Sequence, residues 1–109
     1  MIQAEVVLDG GLLKSCRIHG HAGAGPKGSD IVCAAVSVLA DTVFRTLSKG
    51  EGIKVQGKTP ERGVCWIEVE GTSGSRGFLE AAGIFLCEGL LSVEEQYPKL
   101  CQVNIERRN

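Results

Sequence analysis

Two hydrophobic periodicities alternate along this sequence, and their order limits the folds open to the chain. Apolar residues recur at every second position in short segments, which is the spacing of β-strands with one buried face. They recur every three or four positions in two longer segments, which is the spacing of amphipathic helices. The strand segments span residues 2–8, 12–19, 52–57, 64–70 and 100–105, and the helical segments span residues 30–47 and 75–97. The order ββαββαβ predicts an α+β fold of two layers, with a mostly antiparallel sheet and two helices packed on one face.

The same periodicities predict which side chains form the core. We expect Trp66 and the three phenylalanines to lie in the core as well. Gly83 and Gly89 each weaken the second helix by about 1 kcal/mol relative to Ala, which predicts close contact with a neighbouring element or with another subunit. The expected core residues are Val32, Val36, Leu39, Val43 and Leu47 of the first helix, Phe78, Ala82, Phe85, Leu86, Leu90, Val93 and Tyr97 of the second, and Ile53, Val55, Cys65, Ile67 and Val69 of the second hairpin.

Composition excludes several classes of protein. The 109 residues are enough for one domain, spanning residues 1–109, with a core that needs no disulfide or metal. Twelve Lys and Arg against 13 Asp and Glu give a net charge of −1, which argues against a nucleic-acid partner. The N-terminus has no basic segment before a long apolar run, and no segment reaches about 18 apolar residues, so we expect a cytoplasmic protein without a membrane span. Five cysteines, an odd number, are expected to be free thiols.

The segment of residues 20–29 is too poor in large apolar groups to pack on itself. It contains Gly20, Gly23, Gly25 and Gly28 together with Pro26, so we expect a mobile surface loop. Three of these glycines match the spacing of a dinucleotide-binding motif. That motif also requires a parallel βαβ unit and an acidic residue about 20 positions further on, where this chain has Gln56 and Gly57. We therefore expect no nucleotide cofactor.

A zinc site is a second possible use of this region. Thiolate and imidazole groups from Cys16, His19, His21 and Cys33 would suit tetrahedral zinc. Cys16 and His19, however, are separated by an odd number of residues on one strand and so lie on opposite faces of the sheet. This geometry argues against a metal.

A cysteine nucleophile with a histidine partner is the third possibility. Ser29 or Asp30 is the expected N-cap of the first helix. If it is Asp30, Cys33 is the third residue of the helix, where the helix dipole favours a thiolate and free backbone N–H groups could stabilise an oxyanion. Asp30 opposes ionisation of the thiol, so an imidazolium from His21 would be needed. Twelve residues separate His21 from Cys33, and a glycine-rich loop can bring them together.

A structural role for each of these residues remains the alternative. Cys33 in an apolar helix could be a small buried side chain, and we interpret the other four cysteines as inert packing. The glycine-rich loop has no such structural explanation, because ordering it is costly and it adds little to a core. Ser37, one turn after Cys33, could hydrogen-bond near the thiol or bond the carbonyl four residues earlier. His19 is expected to be an ordinary strand residue.

The residues around this loop resemble a known family. They are Gly20-His21-Ala22, then Gly28, then Asp30-Ile31-Val32-Cys33-Ala34-Ala35-Val36-Ser37. This pattern is similar to the signature of Prp, the bacterial ribosomal-processing cysteine proteases, and the likeness extends over the whole chain.

The resemblance implies an endopeptidase that removes an N-terminal extension from ribosomal large-subunit protein twenty-seven, cutting after an aromatic residue. It implies Cys33 as nucleophile, His21 as general base, Asp30 and Ser37 in support, a homodimer and no cofactor. The loop between His21 and Gly28 differs in composition from the more polar loops of relatives. We expect it to act as a gate, including Gly20, Gly23, Gly25 and Gly28, that closes over substrate. The alternative is a non-catalytic ribosome-assembly module that binds a peptide or phosphate.

Overall fold

Five strands and two long helices make up the described part of the chain. The computed structural model describes residues 1–20, 29–61 and 64–109. The elements are β1 (Ile2–Asp9), β2 (Leu12–His19), α1 (Ser29–Ser48), β3 (Ile53–Glu61), β4 (Val64–Gly71) and, after a 3₁₀ turn at Ser73–Ser75, α2 (Arg76–Gln96) and β5 (Cys101–Arg108). Their order confirms the predicted ββαββαβ fold. β3 is longer than predicted, because Lys58 and Glu61, which follow the predicted strand, also pair with β4. β5 extends to Arg108, beyond its predicted end at Ile105.

The sheet has the strand order β3-β4-β2-β1-β5. Adjacent strands are antiparallel except for β1 and β5, which run parallel. The connection between β1 and β2 places Gly10 and Gly11 at φ of 59° and 82°. Two consecutive residues with positive φ suit the tight turn that joins twisted antiparallel strands. The mostly antiparallel sheet is therefore confirmed.

Both helices pack on one face of this sheet, as predicted. α1 lies over β3, while α2 lies over β2, β1 and β5. Along β1 the side chains alternate, with Ile2, Ala4, Val6 and Leu8 buried beneath the helices. Leu39, which was predicted to be buried, is half-buried at the edge of the buried face of α1, and Ala40 is buried in its place. The buried residues of α1 are Val32, Val36, Ala40, Val43 and Leu47.

The buried face of α2 differs from the prediction. Leu79, Gly83, Leu86, Leu90 and Val93 lie in or against the core, whereas Phe78 and Phe85 are 41% and 54% exposed. Gly83 lies close to the β1–β2 hairpin, where an added Cβ would be 3.1 Å from Leu8 Cδ2. This close approach turns the helix so that the glycine, and not the neighbouring aromatic residues, faces the sheet. The prediction that all three phenylalanines lie in the core was wrong for these two.

Two glycines of α2, Gly83 and Gly89, make close contacts within the chain. Gly83 packs on the hairpin, and an added Cβ at Gly89 would lie 2.7 Å from Leu39 Cδ2 of α1. For both glycines the predicted close contact is therefore with a neighbouring element of the same chain.

One helix of the described chain is long and apolar enough to cross a membrane. Over Ile31–Ser48 of α1 the mean hydropathy is 1.6, which the sequence prediction missed because it required an unbroken apolar run. The buried residues of α1 recur from Val32 to Leu47 against the sheet. A helix packed in a protein core can be as long and as apolar as a membrane-spanning helix. The length and hydropathy of α1 are therefore only weak evidence for a membrane span.

Candidate active site

Cys33 lies in the second turn of α1 and is half-buried. The helix begins at Ser29, so Asp30 belongs to its first turn and Cys33 is its fifth residue. Both predicted caps, Ser29 and Asp30, lie inside this helix, so the position of Cys33 that depended on Asp30 as the N-cap is not found. In regular α-helical geometry the N–H of the fifth residue has an acceptor four residues earlier. The dipole effect at Cys33 is correspondingly weaker, and the free backbone N–H groups of the helix belong to the residues before it.

The flank of α1 that carries Cys33 is turned away from α2. Leu39 contacts Gly89 of α2, whereas Phe44 on the other flank contacts Gly57 of β3. Ser37 follows Cys33 by four residues, and Phe44 follows Ser37 by seven. Because these are helical spacings, the three side chains lie on the same flank of α1. The candidate nucleophile therefore lies on the side of the helix nearest the β3 edge of the sheet.

The other four cysteines are buried, as predicted. Burial raises the pKa of Cys16 from its ordinary value of 9.0 to about 12, with the neighbouring Cys65 and Cys87 thiols adding to the effect. Burial also raises the pKa of Cys65, Cys87 and Cys101. Since the thiolate is the reactive form, these four side chains are poor nucleophiles. Of the five cysteines, all of which the structure describes, Cys33 alone is partly accessible.

The structure brings the two ends of the glycine-rich segment to one end of the sheet. β2 ends at His19, which pairs with Val64 at the start of β4. Only four residues lie between the end of α1 at Ser48 and the start of β3 at Ile53, so the chain turns back on itself here. The helix and the strand are each about 30 Å long, and the start of α1 therefore lies near the end of β3. Glu61 at the end of β3 pairs with the same Val64. Cys33 and the C-terminal end of β2 therefore share this edge of the molecule.

Several predicted site residues lie outside the described residues. These are His21, Gly23, Gly25 and Gly28, together with the side chain of Asp30. Gly20 is described: its φ is 102°, and an added Cβ would collide with the carbonyl oxygen of Met1. Glycine is thus required at this position for steric reasons.

Ser37 is half-buried one turn after Cys33. In the same helix, Thr46 and Ser48 donate hydrogen bonds to the carbonyls of Thr42 and Phe44, four residues earlier. Within the described ranges, Ser37 makes no corresponding bond to the Cys33 carbonyl. Its hydroxyl is therefore available to a group bound beside the thiol.

Two of the four residues weighed as zinc ligands, Cys16 and His19, lie on opposite faces of the sheet. Cys16 is buried under the helices, whereas His19 lies on the uncovered face of the sheet with its Nε2 3.8 Å from Glu5 Oε2. The sheet separates the two side chains, as the odd spacing predicted. Among the residues placed by the structure, no group of three or more His, Cys, Asp or Glu side chains could hold a metal ion.

Sequence reasoning missed the contact between Phe44 and Gly57. Phe44 is half-buried, and an added Cβ at Gly57 would lie 3.0 Å from its ring. A glycine inside an alternating strand was the available signal, because such a residue often marks close approach of another group.

Comparison with known families decides the assignment. A family model described as cysteine protease Prp matches residues 1–102. The chain belongs to this family. The resemblance inferred from the loop and helix motif is thereby confirmed.

Solved structures share the fold of this chain. SMU.848 from Streptococcus mutans superposes with a TM-score of 0.80 at 29% identity, over 99% of this chain and 96% of that one. The essential ribosomal processing protease Prp from S. aureus, in complex with a substrate peptide, superposes with a TM-score of 0.79 at 19% identity, over 97% and 100% of the two chains. The same protease with a covalently linked product peptide gives 0.71 at 23% identity over the same shares. The two S. aureus structures show the shared fold. A search of curated protein sequences gave no significant match.

Proposed function

We propose that this chain is a cysteine endopeptidase in which Cys33 is the nucleophile and His21 the general base. The observation that carries the proposal is the accessibility of Cys33 among five cysteines, in a chain that belongs to the Prp family. The four buried thiols are held protonated and have no access to a polypeptide.

The proposed reaction proceeds by acyl transfer. His21 accepts the Cys33 proton, and the sulfur attacks the scissile carbonyl carbon to form a tetrahedral oxyanion. Collapse breaks the C–N bond as the imidazolium gives its proton to the leaving amine, which leaves a thioester on Cys33. Water, deprotonated by His21, then hydrolyses the thioester and regenerates the thiol. Backbone N–H groups of the first turn of α1 are the candidate oxyanion donors, and Asp30 and Ser37 would support the pair.

The proposed substrate is the precursor of ribosomal large-subunit protein twenty-seven. The S. aureus Prp structures contain a substrate peptide and a covalently linked product peptide, and that protein is a ribosomal processing protease. We extend this role to the present chain, with cleavage after an aromatic residue of an N-terminal extension. The proposal includes a homodimer that acts in the cytoplasm and requires no cofactor.

A cleavage assay tests this proposal. The wild type, Cys33→Ala and His21→Ala proteins would be incubated with a peptide spanning the extension junction, and products identified by mass spectrometry. Cys87→Ala is the matched control, because it removes a buried thiol. We expect single-site cleavage by the wild type and the control, and a loss of at least about 10³-fold in each of the other two variants. An intact peptide with the wild type would contradict the substrate assignment. Tight binding of that peptide without cleavage would favour the non-catalytic module.

A further inference from the structure

The outer edge of β3 lies beside the flank of α1 that carries Cys33. β3 is the last strand of the sheet on this side, and no described strand pairs with its other edge. In an antiparallel pair, alternate residues direct their N–H and C=O groups away from the partner strand. The stretch of residues 53–57 therefore presents backbone donors and acceptors along the edge that leads toward the candidate nucleophile.

Apolar surface accompanies this edge. Ile53 and Val55 face the helix layer but are only half-buried, and Phe44 of α1 is half-buried above Gly57. One more strand beside β3 would cover these three side chains and complete the layer under α1. The intervening Lys54 and Gln56 face the other side and are exposed, so an added strand would alternate between an apolar and a solvated environment.

The opposite edge of the sheet differs. On β5, the backbone N–H of Val103 donates a hydrogen bond of 2.6 Å to Glu94 Oε2 of α2. That carboxylate caps one donor of this edge, near the start of β5. Within the described ranges, no side chain caps residues 53–57 in this way. The two edges therefore differ at this donor, and of the two only the β3 edge lies against α1, which carries Cys33.

The spacing fits a polypeptide that runs from β3 to Cys33. Eleven residues separate Cys33 from Phe44, which corresponds to about 16 Å along the helix or about five residues of strand. Because α1 and β3 run in opposite directions, Cys33 lies near the level of Glu61, at the end of β3. A segment paired with residues 53–57 would thus reach the thiol within a few residues.

We infer that the substrate polypeptide binds as a sixth strand along the outer edge of β3. Residues on one side of the scissile bond pair with residues 53–57, and every second substrate side chain packs on Val55 and Phe44. This inference rests on the proposed protease function and adds the mode of substrate recognition.

Binding of N-methylated peptides tests the inference. A series of junction peptides, each N-methylated at one position, would be titrated into the Cys33→Ala protein by calorimetry, since N-methylation removes one backbone donor. We expect N-methylation at every second position on one side of the scissile bond to raise Kd at least about 10-fold. At the intervening positions we expect it to raise Kd less than about threefold. A loss without this alternation, or no binding of the unmodified peptide, would overturn the inference.

Two matched valines provide a second measurement. Val55 and Val103 are both half-buried on edge strands, and only Val55 lies on the proposed binding edge. We expect Val55→Ala to weaken peptide binding about fivefold and Val103→Ala to leave it unchanged, with thermal melts showing that both variants are folded. Equal effects would contradict the β3 edge. Cleavage of the unmodified peptide by the wild type is recorded separately, so failure of the protease function is distinguished from failure of this binding mode.

Discussion

At the scale of single residues, the surroundings of the five cysteines determine their chemistry. Cys16, Cys65, Cys87 and Cys101 are buried in the core between the sheet and the helices, and their pKa values are raised mainly by loss of water. Cys33 lies on a helix flank. The sequence predicted this division correctly, because the four buried cysteines fall on apolar positions of strands and of α2. It placed the start of α1 wrongly, because residues 28–30 contain more than one residue type that can cap a helix.

Selective alkylation tests the accessibility of Cys33. With limiting iodoacetamide at pH 7.5, we expect Cys33 to be labelled at least about 10-fold faster than any other cysteine, since the others are both buried and protonated. Peptide mapping by mass spectrometry identifies the modified position. Cys33→Ala serves as the control and should show only slow labelling. Equal labelling of all five cysteines would show that the described packing is wrong.

The raised pKa of Cys16 predicts a loss of stability in alkali. The unfolded chain releases this proton near pH 9.0, whereas the folded protein retains it up to about pH 12. The free energy of unfolding should therefore fall as pH rises through this window, with this proton contributing a slope of up to about 1.4 kcal/mol per pH unit. Urea unfolding at pH 7.5 to 10.5 under reducing conditions should give a shallower slope for Cys16→Ala than for the wild type. Parallel slopes would contradict the assigned environment.

At the scale of elements, the buried face of a helix was harder to predict than the presence of the helix. α2 has apolar residues around much of its circumference, so two neighbouring stripes were compatible with its sequence. Gly83 selects the observed stripe, because it allows the hairpin to approach. A glycine carries no hydrophobic signal, and its position at the centre of the buried face could not be inferred from periodicity.

A pair of glycine substitutions tests the packing of α1 on β3. At Gly57, an added Cβ would lie 2.5 Å from the backbone oxygen of Trp66 and 3.0 Å from the Phe44 ring. We expect Gly57→Ala to lower the free energy of unfolding by about 1–3 kcal/mol. At Gly77 of α2 an added Cβ would contact nothing within 4 Å, so Gly77→Ala should be neutral or raise stability by up to about 1 kcal/mol. Urea unfolding measures both, and an unchanged or more stable Gly57→Ala protein would refute the described contact.

At the scale of the whole molecule, topology brings the site together. The pairings of β2 with β4 and of β1 with β5 join segments far apart in sequence. Neither pairing has a local sequence signal, so the strand order could not be derived from periodicity, although the fold class could. The pairings of β4 with β2 and with β3 place the end of β2 and the end of β3 at one edge, near the start of α1. The sequence motif identified Cys33 as a candidate, and the arrangement shows what surrounds it.

Trapping the acyl-enzyme is the decisive test of Cys33 as the nucleophile. The wild-type protein would be mixed with the junction peptide, quenched in acid within one turnover and analysed by intact mass and peptide mapping. We expect the mass of the protein to increase by the mass of the N-terminal cleavage fragment less one water. The added group should be located on Cys33 and should be absent from the Cys33→Ala protein. Cleavage with the acyl group on another residue, or cleavage that persists in Cys33→Ala, would contradict it.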